Sequence, residues 1–191
     1  MNHLDDTLEA LDETLAAALE QVLAAEAISG ADDATVLRAM AITAHMQRRL
    51  DGLLTELVGE VDVRDTAQPT ANGIVMRSGY RNLNDLLQQV TLRTPQTVSA
   101  LTRVARAVRR PVALCTGEVL PPELPALRAA LLEGAVGIEG VTAVLGPLRE
   151  LHCAVGTERM REAERVLADA VRGTLTAPDD APGDASMPPL G

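Results

Sequence analysis

The side chains able to act as nucleophiles, bases or metal ligands are few in this sequence, and they are scattered. Its histidines are His3, His45 and His152, and its cysteines are Cys115 and Cys153. A structural or catalytic metal needs three or four such donors at close, regular spacing, and no segment supplies them. His152 and Cys153 are adjacent, but neighbours at i and i+1 on a helix do not face each other, so they make no nucleophile–base pair. There is no phosphate-cradling glycine loop of either the Walker or the dinucleotide type. The residues therefore predict no catalytic site, no metal and no cofactor, and a protein that is not an enzyme.

The chemistry that remains is charge. The chain of 191 residues carries a formal net charge of −10, and all 17 of its basic residues are arginine. Residues 1–63 hold 13 acids and 3 Arg, a net of −10, whereas residues 64–110 hold 8 Arg against Asp65 and Asp85, a net of +6. Residues 111–191 return to a net of −6. An acidic whole argues against a surface that binds nucleic acid everywhere, but the basic centre is a candidate for local binding. Within it, Gln96, Ser99, Ala100, Arg103, Arg106 and Arg110 fall along one stripe of a helix starting at Pro95, opposite an apolar stripe. Glutamine pairs with adenine, and arginine pairs with guanine or phosphate. Arg77, Arg81, Gln96, Ser99, Arg103, Arg106 and Arg110 are thus the candidate contacts to double-stranded DNA. An ordinary amphipathic helix with a basic polar face fits the same pattern, and the sequence leaves both open. Aromatic residues amount to 1% of the chain, which disfavours base stacking on single strands or RNA.

The elements that position these residues are helices. Hydrophobic residues make up 47%, with Tyr80 the lone aromatic, so the core must come from Leu, Val, Ile, Met and Ala. The fold class predicted is all-α: a long N-terminal helical hairpin, then a multi-helix bundle containing a helix-turn-helix-like unit. Leu4, Leu11, Ala18 and Ala25, interleaved with Leu8, Leu15 and Val22, form a heptad stripe on the first helix. Ser29-Gly30 stops it, and Asp32 or Asp33 caps a second helix bearing Val36, Ala39, Thr43, Met46, Leu50, Leu53 and Leu57. The hairpin spans residues 1–62, and residues 63–79, with Pro69, Asn72-Gly73 and Gly79, read as a loop.

Residues 80–173 form the helical region. Asn82 is a predicted N-cap for a short helix with Leu83, Leu86, Leu87 and Val90, and Thr94-Pro95 starts a longer one burying Val98, Leu101, Ala105 and Val108. A helix follows over about Leu124–Glu133, stopped by Gly134. Another begins near Ile138, using Val141, Val144 or Leu145, Leu148 and Leu151, and Gly146-Pro147 should kink or split it. A last helix runs from about Thr157 to Arg172, with Met160, Ala163, Val166, Leu167 and Ala170 inward. The Pro- and Asp-rich residues 174–191 read as a disordered tail.

The acidic N-terminus shows no signal peptide, no apolar run suits a membrane span, and the two cysteines suggest no disulfide framework, so a cytoplasmic protein is expected. The heptad stripe offers a second function class, a coiled-coil homodimer or docking of a partner helix through residues 4–25. Packing within the chain is the more economical use of three or four heptads.

Several segments resemble a known family. These are Val61-Asp62, Gly79-Tyr80-Arg81-Asn82-Leu83, Arg103-Val104-Ala105-Arg106-Ala107, Leu124-Pro125-Ala126-Leu127 and Leu131-Leu132-Glu133-Gly134. In order and spacing they are similar to the domain of unknown function numbered two-two-two. That domain precedes the HNH nuclease domain in many actinobacterial HNH endonuclease-like proteins. The resemblance covers roughly residues 30–172 and implies a helical, DNA-engaging region without the nuclease centre. Gly140 stands where the family often has histidine, Gly146-Pro147 interrupts the same helix, and no HNH motif follows. A truncated or stand-alone relative of such N-terminal regions, non-catalytic and DNA-binding, is the function the resemblance implies. A protein–protein interaction module and a gene fragment without function are the alternatives.

Overall fold

The computed structural model describes residues 3–24, 27–68, 72–113 and 116–175. The expected disordered tail therefore lies outside the described residues apart from the end of the last helix, as do Ala25, Pro69 and Cys115. The fold is all-α. Its eight described helices are α1 (His3–Ala24), α2 (Asp33–Thr66), α3 (Ile74–Arg77), α4 (Leu83–Thr91), α5 (Pro95–Val108), α6 (Pro125–Glu133), α7 (Ile138–Val155) and α8 (Thr157–Leu175). No described helix is long and apolar enough to cross a membrane.

The chain divides into two compact units, Met1–Ala44 and His45–Gly191, so the boundary falls inside α2 and not at residue 62. The reason is where α2 finds cover. In the first unit no described residue is buried, and Asp32 caps α2 by accepting from the Thr35 amide at 2.7 Å. In the second unit α2 buries Gly52, Thr55, Val58, Gly59 and Asp62. Gly52 is a glycine because a Cβ there would stand 2.8 Å from the Leu131 carbonyl oxygen at the end of α6.

The expected loop over 63–79 is shorter than the sequence suggests. Helix α2 continues to Thr66, and α3 adds a further turn whose Val75 is 2% exposed. Asp65 supplies the missing signal, since its Oδ1 accepts from the Val75 amide at 3.0 Å and ties α3 to the end of α2.

The core of the second unit is aliphatic, as the composition requires. Val98, Leu101, Val104, Ala105 and Val108 of α5 are all buried, and they include the four expected positions. Helix α5 packs with α4, α6 and α7, and α8 packs on α6 and α7. Between α5 and α6 the chain folds back on itself, with Val112 bridged to Val119 and Gly117 at φ +69°.

Two helices depart from the expected pattern. Helix α7 is neither split nor ended by Pro147. Residues 143, 146 and 147 all lie on its exposed side, where a carbonyl that loses its amide partner remains accessible to water. Helix α8 turns Met160, Ala163 and Leu167 toward the core as expected, but its buried side is centred on Met160, Glu164 and Ala168, while Val166 is 62% exposed and Ala170 is also exposed. The cause is Glu164, a residue the apolar pattern assigns to solvent. Its Oε1 accepts from the Leu127 amide at 2.8 Å, and its carboxylate also takes the Ala126 amide. Helix α6 starts on Pro125 with no side-chain cap of its own, so a carboxylate from α8 supplies the acceptor for its first free amides. At its other end Arg48 Nε donates to the Gly134 carbonyl at 2.7 Å and Arg49 Nε to the Glu133 carbonyl at 3.1 Å. Both ends of α6 are thereby closed by ionic side chains of the sign its dipole requires.

Candidate nucleic-acid interface

The basic centre begins with two caps. Asn82 Oδ1 accepts from the Asp85 amide at 2.9 Å and starts α4, and Leu92 ends it in the left-handed region at φ 53°. After residues 92–94, Thr94 caps α5 through the Thr97 amide at 3.3 Å, with Pro95 in the first turn. A nine-residue helix, a three-residue turn and a fourteen-residue helix follow one another as the sequence predicts.

Along α5, burial of Val98, Leu101, Ala105 and Val108 turns the opposite side outward. Gln96, Arg103 and Arg106 are exposed, and Ser99 is half-buried. Arg106 is not free. Its Nη2 donates to Asp62 Oδ1 at 2.7 Å, its Nε lies 3.2 Å from both Asp62 oxygens, and Arg109 Nη1 reaches Asp62 Oδ2 at 3.1 Å. The Asp62 side chain is 6% exposed, whereas the side chains of Arg106 and Arg109 are 56% and 38% exposed. The Asp62 carboxylate holds the Arg106 guanidinium above its ordinary pKa, chiefly by hydrogen bonding. One carboxylate shared by two arginines leaves one positive charge uncompensated.

The other arginines of the centre divide in the same way. Arg93 pairs with Asp51 at 2.6 Å and Arg64 with Glu60 at 2.6 Å. Arg103 makes no ion pair among the described residues, and neither do Arg77, Arg81 and Arg110. Three of the eight arginines between residues 64 and 110, Arg93, Arg106 and Arg109, thus clip acidic α2 to its neighbours, while Arg64 pairs within α2.

An open cleft of about 530 Å³ brings Arg103 together with Arg106, Arg149 and polar partners. Ser99, Thr102, Arg103 and Arg106 line it from α5, Asn82 and Asn84 from the start of α4, and Arg149 from α7. Thr102 Oγ1 donates to the Val98 carbonyl at 2.9 Å and lies 3.3 Å from Asn84 Oδ1, which leaves the Asn84 amide nitrogen as a donor. No carboxylate lines the cleft. Asp85, beside it in sequence, is held by Asn82 Nδ2 at 2.9 Å. Two exposed guanidiniums, hydroxyls, amide donors and the first turn of α4 make a receptor for an anionic oxygen group.

Comparison with family models, curated proteins and solved structures finds no match for this chain.

Of the seven sequence candidates, the cleft brings together Ser99, Arg103 and Arg106. Gln96 lies one turn before Ser99 on the same helix, and Arg81 is exposed immediately before the Asn82 cap. Two candidates go elsewhere. Arg77 borders a separate hollow with Arg64 and Asn72, because α3 carries it to the end of α2. Arg110 leaves the stripe because the chain turns extended at Arg109 (φ −60°, ψ 154°), and it joins Arg109, Arg128 and Glu56 around another hollow. Arg149, Asn82, Asn84 and Thr102 are the lining residues that the charge and stripe reading did not select. For Arg149 no local signal exists, since it lies on α7, far from α5 in sequence.

His152 and Cys153 both border an apolar hollow of about 360 Å³ over Leu145, Leu148 and Met160. Adjacent helix positions thus reach the same hollow after all, but no hydrogen bond joins the two among the described residues. Nor do any three described His, Cys, Asp or Glu residues group as metal ligands.

Proposed function

We propose that this protein is a non-catalytic helical module that binds duplex DNA through the cleft between α4, α5 and α7. The observation that carries the reading is the convergence of Arg103 and Arg149 with hydroxyl and amide donors in a cleft free of carboxylates. A phosphodiester suits such a cleft: it is anionic, and guanidinium and amide donors can reach its unesterified oxygens together. Seating a phosphate there would place the exposed first turn of α5, with Gln96, toward the adjoining groove, where a glutamine can read adenine. The resemblance to the helical region preceding HNH nuclease domains points to the same ligand class.

The test is equilibrium binding of a mixed-sequence duplex to the full chain at low ionic strength. Arg103→Ala with Arg149→Ala should weaken binding about tenfold, and should make the logarithm of affinity fall less steeply with salt by about one to two phosphate contacts. Arg64→Ala with Arg172→Ala removes the same charge from ion pairs outside the cleft and should have much the smaller effect. Equal losses in both double variants would reduce the interaction to bulk charge and overturn the cleft as its seat.

A further inference from the structure

The apolar hollow of about 360 Å³ has no part in holding a phosphate, yet it shares a wall with the cleft. Arg106 and Arg149 line both. On α7 the hollow takes Leu145, Leu148, Arg149 and Cys153, whose spacing puts them on one face of the helix. Leu124 ahead of α6 and Met160 of α8 complete its floor with Leu145 and Leu148, and all four are buried. Its volume falls within the range of about 300–1,000 Å³ that small-molecule sites occupy, toward the small end. We propose that the hollow binds a small amphiphilic monoanion, an aliphatic body bearing one carboxylate, and that this occupant competes with DNA for Arg149.

The lining dictates that chemistry. Three leucines and a methionine offer the floor no hydrogen bond, so an apolar body gains there by leaving water. No aromatic ring lines the hollow, which gives a planar body no stacking advantage over a flexible chain. Arg149 is exposed and makes no ion pair among the described residues, and its planar guanidinium matches a carboxylate with two parallel hydrogen bonds. Arg106, already shared with Asp62, adds the uncompensated charge beside it. Glu123 also lines the hollow and opposes a second negative charge, so the ligand is a monoanion and not a dianion such as a phosphate monoester. A guanidinium engaged by the carboxylate is withdrawn from the cleft, and by linkage DNA weakens the ligand by the same factor. That competition rests on the cleft's binding DNA; the ligand site does not.

Titration calorimetry of the full chain with octanoate, and with octanol as its uncharged counterpart, tests the site without DNA. Octanoate should bind once per chain and about tenfold more tightly than octanol. Arg149→Ala should remove that advantage, weakening octanoate about tenfold and leaving octanol within about twofold. Cys153 is exposed and does not line the cleft. Cys153→Phe should therefore fill the mouth of the hollow, weaken both ligands at least about tenfold, and spare the fold and the affinity for duplex. Saturating octanoate should weaken duplex binding about threefold in the unsubstituted chain and not in Cys153→Phe. Octanoate bound no better than octanol would overturn the site. So would octanoate affinity indifferent to Cys153→Phe, which would put the probe on another apolar surface. Duplex affinity indifferent to bound octanoate would overturn the competition. Octanoate binding as expected in a chain that binds no duplex would uphold the site and overturn the DNA reading alone.

Discussion

Glu164→Ala should lower the stability of the protein by about 3 kcal/mol and its thermal midpoint by roughly 6–12 °C. The Glu164 residue is 1% exposed, and its carboxylate takes the Leu127 and Ala126 amides at the start of α6. Alanine leaves the buried Leu127 amide without its acceptor, at about 1–3 kcal/mol, and adds a void between α8 and α6. Relief of a buried charge offsets part of that loss but not all of it. Glu164→Gln keeps one acceptor and should lose less. The glutamine variant also isolates a pH effect. Burial is the largest influence on Glu164 and raises its pKa above the ordinary 4.5, against the opposing pull of the two amides and of Arg161 and Arg165. The folded protein then holds this proton more tightly than the unfolded chain does. Stability should accordingly rise as pH falls from neutral through the raised pKa toward about 4.5, a gain Glu164→Gln should lack. Glu133, whose pKa Arg172 lowers, contributes with the opposite sign: its stabilisation is present above 4.5 and lost below it. Urea denaturation of both chains across pH 4.5–7 separates the two windows, and parallel profiles would remove Glu164 as the cause.

Asp62→Asn should move stability and DNA affinity in opposite directions. The substitution keeps the shape of the side chain but removes the charge that holds Arg106 and Arg109, and with it charge-assisted hydrogen bonds between α2 and α5. Both guanidiniums retain access to water and can rehydrate, so the loss should be about 2 kcal/mol and not the larger cost of stranding a fully buried ion. The same change frees Arg106 in the cleft, and duplex DNA should then bind roughly threefold or more tightly at low salt. A destabilised protein that binds DNA less well would separate the Asp62 pair from the cleft.

Features legible in the sequence are those decided over a few residues. Asn82, Thr94 and Pro95 start α4 and α5 because capping needs only an acceptor three residues ahead of an amide, and the apolar stripe of α5 predicts its buried face. The apolar stripe of α8 gives Met160, Ala163 and Leu167 correctly but hides Glu164, which is inward for the sake of an amide 37 residues away. The basic centre reads as a block of charge, yet Arg93, Arg106 and Arg109 spend theirs on Asp51 and Asp62, pairings 42 to 47 residues apart that no local pattern announces. Arg149 entered the cleft for the converse reason: α7 packs on α5, and only that packing brings the two arginines together.

Because the chain has no lysine, arginine modification reports on every cationic side chain except the histidines and the N-terminus. The most direct measurement is therefore dicarbonyl labelling of the arginines with and without duplex DNA, resolved peptide by peptide by mass spectrometry. Arg103 and Arg149 should be labelled readily in the free protein and protected by the duplex, while Arg38 and Arg159 should react equally in both. Protection spread over all exposed arginines, or absent from Arg103 and Arg149 while the duplex is bound, would contradict the cleft as the DNA-binding site.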